Sequence, residues 1–251
     1  MNCKIALAAG LMTLGLTSFS ANASHIGGFT LFDGLKFTFD GSAYSNTVVL
    51  PSITEFEAEA IDFSYQADID QTNTSPFSAS FVENGVAFFS AFQNPLGSPV
   101  DASTTGLGLG ALGYRMYAVF DGAGTVVPGA GGTAIDGTFT SFNIKIYIDA
   151  DANSAIVGAG VGAPNGTTSV SNTGDDVLIL TGVLTIGGFH VSTGLLGGDF
   201  DVLFDVVSYD PSVWGGAAFA GDLNGDGDFD DEGEFRTFGD VNGVNTGING
   251  L

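Results

Sequence analysis

The sequence predicts an all-β fold, an antiparallel β-sandwich of jelly-roll type in a single domain. Three observations support this prediction. The chain has 39 glycines among its 251 residues, and helices tolerate glycine poorly because it loses the most backbone freedom on ordering. Several segments alternate apolar and polar residues with the period of two that is typical of a half-buried strand. The length also fits one large β domain without an internal boundary.

Two segments show this alternation most clearly. In one, the apolar residues Phe142, Ile144, Ile146 and Ile148 alternate with Asn143, Lys145 and Tyr147. In the other, the apolar residues Phe200, Val202, Phe204 and Val206 alternate with Asp199, Asp201 and Asp205. Successive side chains of a strand point to opposite faces of the sheet. Each segment is therefore predicted to be an antiparallel strand with one buried face.

Residues 56–69 contain two alternating runs that are out of phase with each other. Phe56, Ala58 and Ala60 form the first apolar face. The second apolar face takes the intervening positions, at Ile61, Phe63, Tyr65, Ala67 and Ile69. One extra residue in a strand changes its phase in this way. The sequence therefore predicts a β-bulge or a corner near Ala60.

The remaining strands and loops follow from shorter patterns. Five further segments are predicted to be strands: residues 35–39, 77–81, 86–92, 114–120 and 177–186. Three Gly-rich stretches are predicted to be loops between strands: residues 104–113, 122–132 and 158–174. A two-sheet jelly roll is the simplest way to bury the apolar faces of eight or more such strands.

The first residues have the pattern of a secretory signal peptide. Lys4 precedes an apolar run at residues 5–16, and Ala21-Asn22-Ala23 follows as an A-x-A cleavage signature. The apolar run is shorter than the roughly 20 residues that a membrane-spanning helix needs. We therefore expect cleavage after Ala23 and a protein that is secreted, extracellular or at the cell surface.

The sequence is predicted to consist of three parts. Residues 1–23 are the predicted signal peptide, residues 24–220 the β-sandwich domain, and residues 221–251 an acidic, Asp/Gly-rich C-terminal segment. Cleavage also removes Cys3, the single cysteine of the chain. A chain without cysteine has no disulfides, no thiolate zinc site and no cysteine nucleophile.

The charge balance excludes several classes of partner. The chain carries 28 acidic residues against 5 Lys and Arg, for a formal net charge of -23. Proteins bind nucleic acid and anionic membrane surfaces mainly through Lys and Arg, so neither is an expected partner. The 22 Phe and 6 Tyr supply enough apolar surface to argue against global disorder. No second long apolar stretch predicts a membrane span.

The most specific chemical pattern is the stretch DLNGDGDFD, which follows the calcium-loop template D-x-[DN]-x-[DN]-G. Its oxygen-bearing residues lie at alternate positions: Asp222, Asn224, Asp226, Asp228 and Asp230. Calcium prefers six to eight oxygen ligands, and Gly227 stands where the template requires a sharp turn. Gly233 occupies the place of the usual bidentate Glu. The sequence therefore predicts either a calcium site or a plain Gly-Asp hairpin turn.

Other acidic positions favour structural roles. Asp149, Asp151 and Asn153 also alternate, but no Gly or acid follows at the required spacing, so we expect a solvated strand end. Asp175 and Asp176 are adjacent and on a strand would face opposite sides. They are predicted to be turn residues.

No residue set specifies a reaction, and the sequence predicts no catalytic residues. His190 lies between Phe189 and Val191 on a predicted strand, and no G-x-S-x-G elbow accompanies it. We expect it to be structural. Trp214 is the single tryptophan, and two roles are open to it: a core or hairpin anchor, or a sugar-stacking platform together with Tyr209.

Four segments carry a resemblance to a known family: GYRMYAVFDGAGTVVPG, FNIKIYIDADAN, GDDVLILTGVLTIGG and GDFDVLFDV. They resemble the flocculation-associated PEP-CTERM proteins, across residues 56–224. That family consists of secreted bacterial proteins that hold cells together in flocs with exopolysaccharide. Its members end in a Pro-Glu-Pro motif, an apolar helix and a basic tail, whereas this sequence ends in NTGINGL. The resemblance implies secretion and adhesion, and it leaves sorting by the PEP-CTERM route without support.

Together these observations predict a secreted, non-catalytic structural or adhesive protein of a bacterial extracellular matrix. It would promote cell aggregation or floc formation, with calcium as a cofactor and with extracellular polysaccharide, the cell-surface matrix or a second copy of itself as partner. One alternative is a carbohydrate-binding module that recognises extracellular polysaccharide. Another is a glycan-cleaving enzyme with paired carboxylates, because so many acids leave a suitable pair open.

Overall fold

The computed structural model describes residues 17–21, 27–31, 37–45, 53–75, 78–94, 98–128, 134–157, 168–192, 198–215 and 234–240. Most of these residues lie in β-strands. The long strands are β5 (Ala60–Ser75), β6 (Ser78–Gln93), β7 (Arg115–Pro128), β8 (Ala134–Asp149), β11 (Val177–Ser192) and β12 (Gly198–Tyr209). The short strands are β1 (Thr17–Ala21), β2 (Gly27–Leu31), β3 (Phe37–Phe39), β4 (Phe56–Ala58), β9 (Ala155–Val157), β10 (Ser169–Ser171), β13 (Trp214–Gly215) and β14 (Glu234–Asp240). Helix α1 (Ala102–Thr105) forms a single turn.

Nine strands pair antiparallel in one large sheet, in the order β1-β5-β2-β14-β12-β11-β8-β7-β6. Strand β5 also pairs along its other edge with β6, the last strand of this order. The eight strands from β5 to β6 are therefore paired in a closed circuit around one core. The prediction of a single-domain, all-β antiparallel sandwich is confirmed. The six long strands lie side by side in chain order, as a meander rather than the crossing Greek keys of a jelly roll.

Two small sheets accompany the large one. Strands β13, β3 and β4 form the first, in which Trp214 pairs with Phe39 and Phe37 pairs with Ala58. Strands β9 and β10 form a hairpin inserted between β8 and β11. The hairpin is joined to β6 at Thr168, whose backbone N–H donates to the side chain of Asn84 at 2.9 Å.

The alternation patterns of the sequence are confirmed in β8 and β12. In both strands the apolar positions are buried: Phe142, Ile144, Ile146, Ile148, Val202, Phe204 and Val206, with Phe200 half-buried. The change of phase near Ala60 is also confirmed, because β4 ends at Ala58, the chain bends at Glu59, and β5 begins at Ala60. At that bend the chain leaves the small sheet of β13, β3 and β4 and enters the large sheet.

Two predicted breaks between strands are wrong. Asn84-Gly85 lies within β6, so the described residues 78–81 and 86–92 belong to one strand instead of two. The stretch from Gly122 to Pro128 was predicted to be a loop, but it forms the second half of β7. In both places the glycines face large rings across the sheet, and turn chemistry does not explain them.

Four phenylalanine rings each lie over a glycine that is the direct cross-strand partner: Phe120 over Gly85, Phe142 over Gly122, Phe81 over Gly124 and Phe189 over Gly137. A Cβ on Gly85 would lie 2.2 Å from the Phe120 ring, and one on Gly137 would lie 2.2 Å from the Phe189 ring. Real Cβ atoms do not approach that closely. The missing side chain of each glycine therefore makes room for a ring from the neighbouring strand.

The opposite end of the core is filled by rings from the small sheet. Trp214 is 1% exposed and contacts Phe37 and Phe39, with ring centroids 5.5 and 4.8 Å away. The ring of Phe39 also lies 4.8 Å from that of Phe92 on β6. Aromatic pairs at such distances add to the stabilisation that burial alone provides. The small sheet thus closes this end of the sandwich.

The packing of rings on glycines predicts a specific cost for added side chains. In Gly85→Ala the new methyl would meet the Phe120 ring at 2.2 Å and the backbone oxygen of Gln66 at 2.7 Å. We expect the free energy of unfolding, measured by urea titration, to fall by about 1–3 kcal/mol, as in other overpacked cores. Gly174→Ala is the matched control, because nothing lies within 4 Å of its Cβ position, and its stability should change by less than about 0.5 kcal/mol. An equal change in both variants would contradict the packing account.

Candidate functional site

The predicted calcium ligands Asp222, Asn224, Asp226, Asp228 and Asp230 lie outside the described residues. Calcium binding there stays a prediction. The chain that follows is described from residue 234, where β14 pairs with both β12 and β2 in the large sheet. The predicted loop therefore leads directly into a central strand of the fold.

A second acidic group lies where β8 ends. Asp149 is fully buried, and its carboxylate accepts the backbone N–H groups of Asn153 at 3.3 Å and Ser154 at 2.8 Å. Asp151 is exposed and accepts from the side chain of Asn153. The predicted solvated strand end is therefore correct for Asp151 and wrong for Asp149, whose carboxylate is needed to satisfy the backbone of the turn.

Ser154 holds this turn against two other strands. Its hydroxyl donates to the Asp176 carboxylate at 2.9 Å, and its carbonyl accepts from the Arg115 guanidinium at 2.8 Å. The hydroxyl of Tyr117 donates to the same carboxylate of Asp176. We call Asp149, Ser154, Asp176, Tyr117 and Arg115 the Ser154 network. It fastens the β9–β10 insertion to β7. No pattern in the sequence indicates this network, because its members are far apart along the chain.

The electrostatics of this region reflect its burial and its density of carboxylates. Desolvation raises the pKa of Asp151, as do contact with Asp149 and the charge of Asp175. Desolvation and the hydrogen bond to Asp176 raise the pKa of Tyr117. Asp175 lies in a turn with Gly174, as predicted, whereas Asp176, predicted to be a turn residue too, follows the turn and belongs to the Ser154 network. Among the described residues, no three His, Cys, Asp or Glu side chains are grouped so that they hold a metal ion.

His190 lies on β11 between Phe189 and Val191, which confirms its predicted place on a strand. Its Nδ1 lies 2.6 Å from a carboxylate oxygen of Asp136 on β8, and the two side chains are 46% and 49% exposed. Its cross-strand neighbour on the other side is Asp199. Ion pairs this exposed contribute little stability. The His190–Asp136 contact is thus a surface pair between adjacent strands.

Trp214 lies in the core, at 1% exposure. Its interpretation as a core anchor is confirmed, and its ring offers no free face on which a sugar can stack. Tyr209 is half-buried and packs against the same core. Trp214 therefore cannot serve as the sugar-stacking platform that the carbohydrate-binding alternative requires.

The outer face of the large sheet is acidic. On β12 the residues Asp199, Asp201 and Asp205 are exposed and alternate with the buried apolar positions. Neutral donors hold two of the outer carboxylates: Thr185 donates to Asp205 at 2.7 Å, and Asn143 donates to Asp121 at 2.9 Å. These neutral partners leave the charges of Asp205 and Asp121 in place, and both add to the negative potential of a chain whose net charge is -23.

One carboxylate points the other way, into the core. Glu83 lies on the buried face of β6, between Phe81 and Gly85, and is 8% exposed. No hydrogen-bond partner of its carboxylate is found among the described residues. Burial raises the pKa of Glu83 to about 7. The alternation of the sequence already places this residue on the apolar face, a signal that the sequence analysis missed.

No helix among the described residues is long and apolar enough to cross a membrane. No protein-family model matches the sequence, and comparisons with curated proteins and with solved structures find no match either. Function therefore has to be argued from the chemistry of this chain.

The Ser154 network predicts that the Tyr117 hydroxyl stabilises the fold. Tyr117→Phe removes the hydrogen bond to the Asp176 carboxylate and should lower the free energy of unfolding by about 1–3 kcal/mol, because the lost bond is to a charged group. Tyr147→Phe is the control, since Tyr147 stacks on Tyr117 with centroids 5.3 Å apart and its hydroxyl has no hydrogen bond to a described residue. Chemical denaturation of the two variants measures the difference, and equal stabilities would exclude a structural role for the Tyr117–Asp176 bond.

Glu83 predicts a specific pH dependence of stability. Its pKa in the folded protein, about 7, lies above the ordinary value of 4.5, so the folded state binds a proton more tightly than the unfolded state. The resulting stabilisation is complete below pH 4.5 and is lost as the pH rises through about 7. Glu83→Gln should therefore gain about 3 kcal/mol over the wild type across this range. Thermal melts of the wild type and Glu83→Gln at a series of pH values test this prediction. Glu55→Gln, at an exposed position, is the control and should follow the wild type. A stability difference between Glu83→Gln and the wild type that does not change with pH would contradict the prediction.

Proposed function

We propose that this chain is a secreted, non-catalytic structural or adhesive protein of a bacterial extracellular matrix, which promotes cell aggregation in the presence of calcium. The observation that carries the proposal is the outer face of the sheet. There Asp199, Asp201 and Asp205 are exposed at alternate positions of β12, with Thr185 donating to Asp205 and His190 opposite Asp199 on β11. A row of exposed carboxylates on a rigid strand is suited to binding through shared cations.

The proposed mechanism is the bridging of carboxylates by divalent cations. A net charge of -23 keeps separate copies apart in low salt. Calcium coordinates six to eight oxygens with flexible geometry, so one ion can join carboxylates of two chains, or of a chain and an acidic polysaccharide. The antiparallel sheet holds the acids at fixed spacing, which lowers the entropy lost on assembly.

Two further points support the adhesive role over the alternatives. The four segments that resemble the flocculation-associated PEP-CTERM family cover β7 and parts of β8, β11 and β12, strands that lie next to one another in the large sheet. The burial of Trp214 removes the stacking platform that the carbohydrate-binding alternative requires. Extracellular polysaccharide remains the proposed partner, bound through cations and not through aromatic stacking.

The test compares calcium-dependent self-association of matched variants by light scattering. We expect the wild type to associate in millimolar calcium and to separate in chelator, and a triple variant, Asp199→Asn, Asp201→Asn and Asp205→Asn, to associate far less. The control carries the same change in charge at another place, Glu55→Gln, Glu57→Gln and Asp101→Asn, and should behave as the wild type. Association that persists in chelator, or that falls equally in both variants, would contradict bridging by the β12 face. Addition of the same proteins to cells that lack the gene then tests aggregation directly.

The predicted calcium loop has its own test. Calcium should bind this loop in the folded protein and not in the unfolded chain. It should therefore raise the free energy of unfolding by RT ln(1 + [L]/Kd), which is about 2.7 kcal/mol at a hundredfold excess over Kd. With Gly233 at the place of the bidentate Glu, we expect a Kd on the order of 10⁻⁴ to 10⁻³ M. Thermal melts of the wild type and Asp226→Ala should therefore diverge in calcium and converge in chelator. Glu55→Ala, at an exposed position outside both proposed calcium sites, is the control, and equal calcium shifts in the wild type and Asp226→Ala would exclude this loop as the site.

A further inference from the structure

Strand β1 lies entirely within the predicted signal peptide. It ends at Ala21, so cleavage after Ala23 removes all of it from the mature chain. In the structure β1 pairs antiparallel with β5, with Ala21 opposite Ala67 and Thr17 opposite Gln71. Loss of the signal peptide therefore leaves this part of β5 without its neighbour on one side.

Removal of β1 does not open the closed circuit of strands. The circuit passes from β5 to β2 at residues 60–63 of β5, and β6 pairs with the other side of β5 along its length. Strand β1 lies outside this circuit, at one end of the strand order. We therefore expect the mature chain to keep its fold, with the backbone groups that faced β1 left unpaired at residues 67–71. We call these residues the β5 edge.

The mature N-terminus is too short to cover the β5 edge. Gly27, the first residue of β2, is paired with Phe63. A chain continued back from Gly27 in the same register would bring Ser24 opposite Gln66, one residue short of the edge. Among the described strands, only β1 pairs with this side of β5 at the edge. A strand edge of this kind is a template for pairing with another chain.

We propose that in the mature protein the β5 edge pairs with the β5 edge of a second copy, across a two-fold axis at Ile69. The proposal rests on the secretion and signal cleavage proposed above. Strands related by a two-fold axis perpendicular to the sheet pair antiparallel, and each contact is made twice. The second β5 would therefore run in the direction that β1 runs here. Because Phe63 and Ala67 place the buried, apolar face of β5 on the same side in both copies, like faces meet across the axis.

The charges of the β5 edge set the conditions for this pairing. Asp68 and Asp70 are at alternate positions of β5, which lie on the same face of a strand. Asp70 is paired with Val82, which is 58% exposed, so this face is the outer one. In the register centred on Ile69, Asp68 of each copy comes opposite Asp70 of the other. Like charges that are directly opposite destabilise a sheet, so pairing should strengthen when salt screens them, with or without calcium.

The experiment uses the protein secreted from cells, whose N-terminus is first read from its intact mass and should be Ser24. Sedimentation equilibrium in chelator should then show a monomer–dimer equilibrium that shifts toward the dimer as sodium chloride is raised. A double variant, Asp68→Asn and Asp70→Asn, should dimerise about tenfold more tightly at low salt, because two like-charge contacts are removed. Glu55→Gln with Glu57→Gln is the matched control, since it removes two exposed charges elsewhere, and it should dimerise as the wild type does.

A cysteine crosslink locates the interface. The mature chain has no cysteine, because Cys3, the single one, lies in the signal peptide. In Ile69→Cys the two new side chains would be directly opposite each other, where Cβ atoms are about 4.5–5.5 Å apart, close to the separation in a disulfide. Mild oxidation should give a covalent dimer of Ile69→Cys and leave Glu55→Cys, at an exposed position away from β5, monomeric.

Four results would overturn the proposal. An intact Met1 terminus would mean that β1 stays on β5. A mature protein that is monomeric at every salt concentration would leave the β5 edge to a strand of a different protein. Equal dimerisation of the double variant and its control, or equal crosslinking of the two cysteine variants, would place the contact elsewhere. Circular dichroism checks that each variant is folded, and Asp70→Asn alone replaces the double variant if that one is unfolded.

These results separate the pairing of β5 edges from the proposed function. Neutralising the acids of β12 should weaken the association that calcium causes, whereas neutralising the acids of the β5 edge should strengthen association in chelator. A Ser24 terminus without a dimer in chelator contradicts the pairing alone. Loss of the calcium effect with the dimer retained contradicts the proposed bridging alone.

Discussion

The architecture depends on phenylalanine rings that lie over glycines across the sheet. Each ring needs the volume that a neighbouring side chain would occupy, and a glycine opposite it supplies that volume without interrupting the hydrogen-bonded ladder. Four such pairs, beginning with Phe120 over Gly85, link β6, β7, β8 and β11. Glycine weakens an isolated strand because of its entropy, and the buried ring offsets this cost through the apolar area that it removes from water. These four pairs link part of the high glycine content of the sequence to its high phenylalanine content.

The rings that pack on glycines lie on the inner face of the sheet, and acidic side chains lie on its outer face. Strand β12 shows the division within a few residues, because Val202 and Phe204 are buried while Asp201 and Asp205 are exposed. The rigid sheet holds the acids in place, and the proposed adhesion through calcium needs that rigidity. Glu83 is the exception, an acid on the aromatic side, and its burial there raises its pKa to about 7.

The sequence predicted the strands whose apolar and polar residues alternate, such as β8 and β12, and the corner near Ala60. The sequence patterns wrongly predicted a strand break at Asn84-Gly85 and a loop beginning at Gly122. These residues have the composition of turns, and the rings that pack on the two glycines lie on other strands. The Ser154 network was missed for the same reason: Tyr117 and Asp176 are neighbours only after the strands pair. Local patterns identify strand faces, whereas contacts between distant strands require the register of the sheet.

The most direct test of the central claim is a double-mutant cycle on one ring-over-glycine pair, Gly122→Ala and Phe142→Leu, in which the free energy of unfolding is measured by chemical denaturation. The Cβ of an alanine at 122 would lie 2.7 Å from the Phe142 ring, so each single change should destabilise the fold. Because leucine leaves room for the new methyl, the double variant should be more stable than the sum of the single effects predicts, by about 1 kcal/mol or more. Additive effects would contradict the claim that rings and glycines are packed as pairs.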